Sequence, residues 1–328
     1  MSLSEKLESV REKIKDTKIV ILGDSTIDRF TIASAKGLSP EAPIPALNVK
    51  REYFSLGASF NAVENLLSFG TKPIYFTVTG SDPEGDYFIK EAKEQIDAED
   101  IIQEEKRKTT SVHRVYADGY LMLWMENSAA NKISKLTEKA IVLKLKEKIK
   151  GASAILLSDH GRGVVTKSLV KAISEEAKKT SIPVIVNGKA GSINNYEGVN
   201  YLRLIRLETS SATGISPINE TSYRNMALKL LSMIGAEGVV ITWLEDGFFL
   251  LKGENFKKLG PITMKPSNLI GIGDLITSTT ALFLSLGLSF EESSKLAYFA
   301  AIFASSTGKR VIESFDRLVD FIRKSEGL

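Results

Sequence analysis

The sequence has no cysteine and only two histidines, His113 and His160. It therefore offers no disulfide, no thiol nucleophile and too few soft ligands for a structural zinc site. A cysteine-free chain suits a reducing cytoplasm, the location expected here, and is equally compatible with other compartments. An excess of one charge is also missing: 43 basic residues face 40 acidic ones, a formal net charge of +3. That balance gives no footprint for nucleic acid or a membrane surface. Nor is there an apolar run of the roughly 18–20 residues that a membrane helix requires. The longest, residues 281–288, is interrupted by Ser285 and Gly287. The N-terminal SEKLESVREKIKD reads as a charged amphipathic helix and not as a signal peptide. Repeats and low-complexity linkers are absent too. With 328 residues, 43% of them hydrophobic, the chain can bury a large core without staples, and we expect one domain over residues 1–328.

What the sequence does contain is an alternation. Residues 18–22, 73–79, 154–158, 183–186 and 238–242 are compact apolar runs, too short for helices and ended by Gly, Ser, Thr, Asp or Asn, which predicts buried strands. Helical patterns lie between them at 58–69, 84–96, 137–149, 167–178 and 220–234. This β-α order predicts an α/β fold with a mostly parallel central sheet and helices on both faces. Two segments fall outside the rhythm. Residues 44–54 read as extended, and 111–125 alternate around a turn at Asp118-Gly119, a hairpin signal. Together they predict a small β-lid, about 31–56 and 109–127, over a cleft that must close. The last third is helical at 274–286, 289–305 and 312–324.

The stretch with the most chemistry is Asn268-Leu-Ile-Gly271-Ile-Gly273-Asp274, ahead of a helix. Gly271 and Gly273 flank Ile272, so the backbone can turn tightly and aim consecutive N–H groups at one point. The helix start adds its positive dipole end. Such a turn is an anion hole, and Asp274 at its rim is placed to take the proton of a hydroxyl attacking phosphorus. A plain loop with an aspartate helix cap has the same tetrapeptide, which by itself does not separate the two. A nicotinamide dehydrogenase is excluded by placement: the glycine turn is late, and no Gly-x-Gly-x-x-Gly follows the first strand.

Further segments supply the context. Ile21-Leu-Gly-Asp24-Ser-Thr-Ile-Asp28-Arg29 runs off the first strand, where ligands sit in open α/β sheets. Leu38-Ser-Pro-Glu-Ala-Pro-Ile-Pro45 follows, then Gly57-Ala-Ser-Phe-Asn61 with Asn65, Thr79-Gly-Ser-Asp82 and Leu157-Ser-Asp-His-Gly-Arg-Gly163. With the Gly271–Asp274 turn, these resemble the ribokinase-like (PfkB) carbohydrate kinases over about residues 18–309. Within that family the chain is most similar to the kinase domain of bifunctional ADP-heptose synthases, which phosphorylates D-glycero-D-manno-heptose 7-phosphate.

The resemblance implies a ribokinase-like three-layer α/β/α fold with a β-lid, and ATP and Mg2+ as cofactors. It implies Asp274 as general base, with the amides of Gly271, Ile272 and Gly273 holding the transferring phosphoryl group. Asp28, Gly57, Asn61, Arg114 and Asp159 would bind the sugar or sugar phosphate. Asn187, Lys189, Thr242 and Gly247 would bind the nucleotide, and Glu208 would orient magnesium through water. His160 would touch substrate, although a histidine satisfied by the backbone at a strand end reads the same way. The lid's exposed edge suggests a homodimer. No nucleotidyl-transferring domain is expected.

The chain also departs from the pattern it resembles. Asn187-Gly188-Lys189 stands where those kinases carry Asp-Pro-Lys, and Ile205 where they carry the asparagine of Asn-x-x-Glu. Asn268 and Ile270 replace an aspartate and a threonine before the glycine turn, and Tyr298 replaces an asparagine that often faces adenine. In the lid, the run Thr109-Thr-Ser-Val-His-Arg114 lacks a lysine, and Trp124 stands in place of an arginine. Fewer basic groups in the lid weaken the hold on a substrate's own phosphate, which brings a neutral sugar into consideration. A thinner metal surround weakens phosphoryl transfer. A non-catalytic protein that binds a sugar or a nucleotide is therefore the alternative function.

Overall fold

The computed structural model describes residues 1–128, 131–243, 246–260 and 270–326. The strands among them are β1 (Ile19–Gly23), β2 (Ser25–Leu38), β3 (Pro45–Ala58), β4 (Ile74–Gly80), β5 (Ile101–Glu104), β6 (Thr110–Ala117), β7 (Tyr120–Asn127), β8 (Ala154–Ser158), β9 (Val184–Asn187), β10 (Tyr201–Ile205), β11 (Gly238–Trp243), β12 (Gly247–Lys252) and β13 (Asn255–Leu259). Nine of them form one sheet in the order β13-β12-β11-β10-β9-β8-β1-β4-β5. From β11 to β5 every neighbouring pair is parallel, while β12 and β13 add an antiparallel edge.

The apolar runs explain the layers. Successive residues of a strand point to opposite faces, and Ile19 to Leu22 are all fully buried, so both faces must be covered. Ile19 and Ile21 pack into one core with the helices Leu3–Ser9, Phe60–Ser68, Ile272–Ser285, Phe290–Thr307 and Phe315–Glu326. Val20 and Leu22 pack into the other with Lys135–Lys148, Lys167–Thr180 and Glu220–Ile234. Several helices start on the side chain the sequence offers: Ser134, Thr166 and Ser289 accept the N–H of Thr137, Leu169 and Glu292. The result is the expected ribokinase-like α/β/α arrangement. Among the described residues no helix is long and apolar enough to cross a membrane.

The lid is a four-stranded sheet in the order β3-β2-β6-β7. Its β6–β7 hairpin turns at Asp118 and Gly119, both at positive φ, as the tight hairpin turn requires. The lid begins earlier than expected. Ser25 already pairs with Ala58, so β2 leaves the C-terminal end of β1 after a single residue, Asp24. Polar and small residues along β2 hide that strand from an apolar-run criterion. Four further strands, β5, β10, β12 and β13, were not anticipated. β10 is an apolar run broken by Arg203, and β12 and β13 form the antiparallel edge.

Candidate active site

A cavity of about 740 Å³ opens at the C-terminal ends of β8 to β11, a volume typical of small-ligand sites. Its walls are residues at or just past the ends of those strands (Asp159 and His160, Asn187 and Lys189, Ile205, Thr242 and Trp243), then Glu208 and the turn from Gly271 to Asp274. A parallel sheet brings these together because every strand from β8 to β11 ends on the same side.

The glycine turn is formed as its sequence demands. Gly271 takes φ 76° at the cap of the helix Ile272–Ser285, a conformation that penalises any side chain. The N–H of Leu275 closes the first helical bond onto Gly271 O, at 2.9 Å. The amides of Ile272, Gly273 and Asp274 precede it and have no carbonyl partner within the helix. Gly273 is needed for space: a Cβ there would lie 2.6 Å from Nη1 of Arg203. Ile272, the residue between, is buried in the core and also reaches the cavity wall.

Asp274 lies in the first turn of this helix and is buried. Its Oδ1 accepts three hydrogen bonds: from Ser158 Oγ at 2.7 Å, Asn187 Nδ2 at 3.0 Å and His160 Nε2 at 3.3 Å. Oδ2 accepts none among the described residues. Burial pushes the Asp274 carboxyl up, but the charge and hydrogen bond of His160, with Ser158 and Asn187, outweigh it and hold the group below the usual carboxylate range. Burial pulls the His160 imidazole down, and Asp274 together with Asp24 more than reverses that. Each of the two groups favours the charged form of the other.

Two buried acids shape the loop after β8. Asp24 accepts the backbone N–H groups of His160, Arg162 and Val164 at 2.8, 3.1 and 2.9 Å. Asp159 accepts from Tyr196 Oη and from the N–H of Gly161, both at 2.7 Å. Burial and the nearby Asp24 raise the Asp159 carboxyl above its ordinary range.

Arg203, on β10, enters the cavity from below the glycine turn. Its Nη1 donates to Asn187 Oδ1 at 3.0 Å and its Nη2 to Thr242 Oγ1 at 2.6 Å. Asn187 thus bridges the guanidinium and Asp274, accepting from one and donating to the other. Burial pushes the Arg203 guanidinium down to about 10, against the pull of Asp274 and Glu208. Glu208 itself is engaged: Oε1 pairs with Lys189 Nζ at 3.0 Å and Oε2 accepts the N–H of Ala190 at 2.7 Å. Burial pushes its carboxyl up, and Ala190, Lys189 and Arg203 outweigh this and lower it.

These residues do not fit a protein-held magnesium. Among the described residues no group of three His, Asp or Glu side chains is gathered to hold a metal, and Arg203 and Lys189 would repel one. Glu208, expected to orient a metal through water, has its two oxygens on Lys189 and Ala190.

The pattern of pfkB family carbohydrate kinases matches residues 16–314. The chain belongs to this family. As a pfkB-family member it is a carbohydrate kinase, an enzyme with a ribokinase-like fold. Curated relatives include two proteins named Bifunctional protein HldE. That of Trichlorobacter lovleyi is 29% identical over 90% of this chain and 60% of its own length. That of Sulfurimonas denitrificans is 30% identical over 87% of this chain and 60% of its own length. The chain thus spans about 60% of the length of these relatives. Among solved structures it is similar in fold to the tetrameric inhibited form of phosphofructokinase-2 from Escherichia coli (TM-score 0.74, 16% identity, 94% of this chain and 99% of that one). It is likewise similar to Arabidopsis thaliana ribokinase complexed with ribose and ATP (TM-score 0.71, 16% identity, 94% and 98%).

In this pfkB-family kinase the residues expected from the sequence fall into two groups. Asp159, Asn187, Lys189, Thr242, Glu208 and the Gly271–Asp274 turn line the cavity. Asp28, Gly57, Asn61 and Arg114 gather next to it at the root of the lid. Asp28 is buried and pairs with Arg114 at 3.1 Å, and Gly57 leaves room for it, since a Cβ there would meet Asp28 Oδ2 at 2.6 Å. Asn61 joins the groups: a Cβ on Gly271 would lie 3.0 Å from its Cγ. Its amide donates to Ala58 O and its Oδ1 accepts from Arg310, so neither is idle.

Gly247 lies apart from the cavity's described walls, at the start of β12 opposite Trp243. Tyr298 packs edge-on against Phe248, outside the cavity lining. Asn268 lies outside the described residues. Sequence reasoning missed Ser158 and Arg203. A single arginine inside the otherwise apolar run Tyr201–Ile205 was the available signal for the second.

Proposed function

We propose that this kinase transfers the terminal phosphoryl group of ATP to a hydroxyl of a sugar or sugar phosphate, with Asp274 as the general base. The observation that carries the reading is the Asp274 carboxylate itself. It is buried beside a turn of main-chain amides, fixed through Oδ1 by Ser158, His160 and Asn187, with Oδ2 left for a substrate hydroxyl. Its lowered proton affinity keeps it ionised at neutral pH, as a base must be. The sugar would lie between this carboxylate and the Asp28–Arg114 pair under the lid. The nucleotide would lie along the cavity toward Lys189 and Thr242, its phosphates near the amides of Gly271 to Gly273 and its base against the apolar wall of Trp243 and Phe248.

Arg114, which pairs with Asp28, and Arg310, which donates to Asn61, are cations beside the proposed sugar position, which keeps a sugar phosphate in play beside a neutral sugar. The motif resemblance to the kinase domain of ADP-heptose synthases supports a heptose-phosphate-like substrate. The six exposed residues from Tyr120 to Met125 on the lid edge strand β7 support pairing with a second copy of the chain.

The second reading, a non-catalytic binder, draws on Glu208 being closed by Lys189. ATP consumption over a panel of neutral sugars and sugar phosphates separates the two. Turnover is expected with at least one sugar, and Asp274→Asn should lower kcat by about 10²- to 10⁴-fold. Equal activity of wild type and Asp274→Asn would remove Asp274 as the base. No turnover on any sugar, with nucleotide binding intact, would favour the second reading.

A further inference from the structure

Among the described residues, Arg203 carries a charge into the cavity with no acid paired directly to it. Its two hydrogen-bond partners, Asn187 Oδ1 and Thr242 Oγ1, are neutral. Its Nε is buried without a partner among the described residues. Glu208 is committed to Lys189 and Ala190, and Asp274 to Ser158, His160 and Asn187. A link between Asn187 and Thr242 alone would need no charge, and a glutamine could make it. Burying an unpaired cation is costly, so its retention points to an anionic ligand. The guanidinium also lies against Gly273, closer than any side chain there would allow. It therefore shares one wall of the cavity with the first-turn amides of the helix Ile272–Ser285, and both attract anions.

We infer that Arg203 is a fixed cation that grips the phosphate groups of the nucleotide and supplies charge neutralisation that a divalent ion would otherwise provide. This rests on the kinase reading above. A guanidinium suits the role because its planar fork bonds two phosphate oxygens at once and it stays charged when partly buried. Lys189 is a second, weaker contributor, since Glu208 already holds it.

The test is isothermal titration of the full chain with ATP, once with excess magnesium and once with EDTA, for wild type, Arg203→Gln and Arg203→Lys. Wild type should bind metal-free ATP within about tenfold of its affinity for the magnesium complex. Arg203→Gln should lose about 10- to 100-fold toward metal-free ATP, the worth of one charged hydrogen-bonding contact, and less toward the magnesium complex. Arg203→Lys, which keeps the charge and loses the fork, should fall between. Wild-type binding that appears only with magnesium would overturn the role of Arg203 and leave the kinase reading standing. So would unchanged metal-free binding by Arg203→Gln. Failure of the wild type to bind ATP under either condition would remove both. The wild-type comparison decides even if Arg203→Gln does not fold.

Discussion

Replacing Gly273 by alanine should weaken nucleotide binding by displacing a side chain that is far away in sequence. Gly273 is in the first turn of the helix Ile272–Ser285, and its φ is not among the positive ones. Alanine is thus allowed there, and helix propensity favours it by up to about 1 kcal/mol. The new Cβ, however, would lie 2.6 Å from Nη1 and 3.2 Å from Cζ of Arg203. The helix backbone is fixed by its ladder, so the guanidinium must retreat, by roughly 1 Å to restore an ordinary contact. That movement strains its bonds to Asn187 and Thr242, each worth about 1.5–3 kcal/mol for a charged donor. Asn187 then loses the partner that orients its amide toward Asp274. The gain in helix propensity opposes this loss, so the urea midpoint should move little. The decisive measurement is a double-mutant cycle in ATP affinity over wild type, Gly273→Ala, Arg203→Gln and the double variant. Steric displacement predicts that Gly273→Ala does almost nothing once Arg203 is gone, a coupling of about 1.5–3 kcal/mol. Effects that add within about 0.5 kcal/mol would refute the reasoning, because alanine would then act on its own.

His160→Gln should move the acid limb of kcat/KM to higher pH, because His160 is the main influence that offsets burial and keeps Asp274 ionised. In stability the pair has a window. The raised His160 contributes below its unfolded value near 6.5 and loses its contribution as pH rises through its folded value. The lowered Asp274 contributes above its unfolded value near 3.9 and loses its contribution as pH falls through its folded value. The stability difference between wild type and His160→Gln, read by urea melts, should therefore be largest between about pH 4 and 6.5. Asp24→Asn presents an amide NH2 to a backbone donor where three N–H groups now converge, and should cost about 1–3 kcal/mol in the same melts. An unchanged midpoint would mean that Asp24 does not hold the loop after β8. Leu121→Glu with Leu123→Glu, on the exposed edge strand β7, should shift a dimer to monomer in light scattering without changing the far-UV spectrum. A mass unaltered by both changes would exclude pairing through that edge.

The sequence alone was sufficient for five strands of the parallel sheet, because buried strands must be apolar on both faces and so stand out as short unbroken runs. Ile19–Gly23, Ala154–Ser158 and Gly238–Trp243 were legible for that reason. The lid hairpin was legible from Asp118-Gly119, where only a few residue types tolerate the turn. The glycine turn and Asp274 were legible because Gly271 must take positive φ and Gly273 must stay small. What the sequence left open is whatever depends on lateral neighbours. β10 was missed because a charged residue sits within it, and only its register beside β9 shows that Arg203 faces Asn187. Spacing along the chain likewise says nothing of Lys189, which folding brings to the Glu208 carboxylate. Local conformation and burial are written in the order of residues. Which charge meets which is decided by the strands packed side by side, because electrostatic partners are chosen through space and not along the chain.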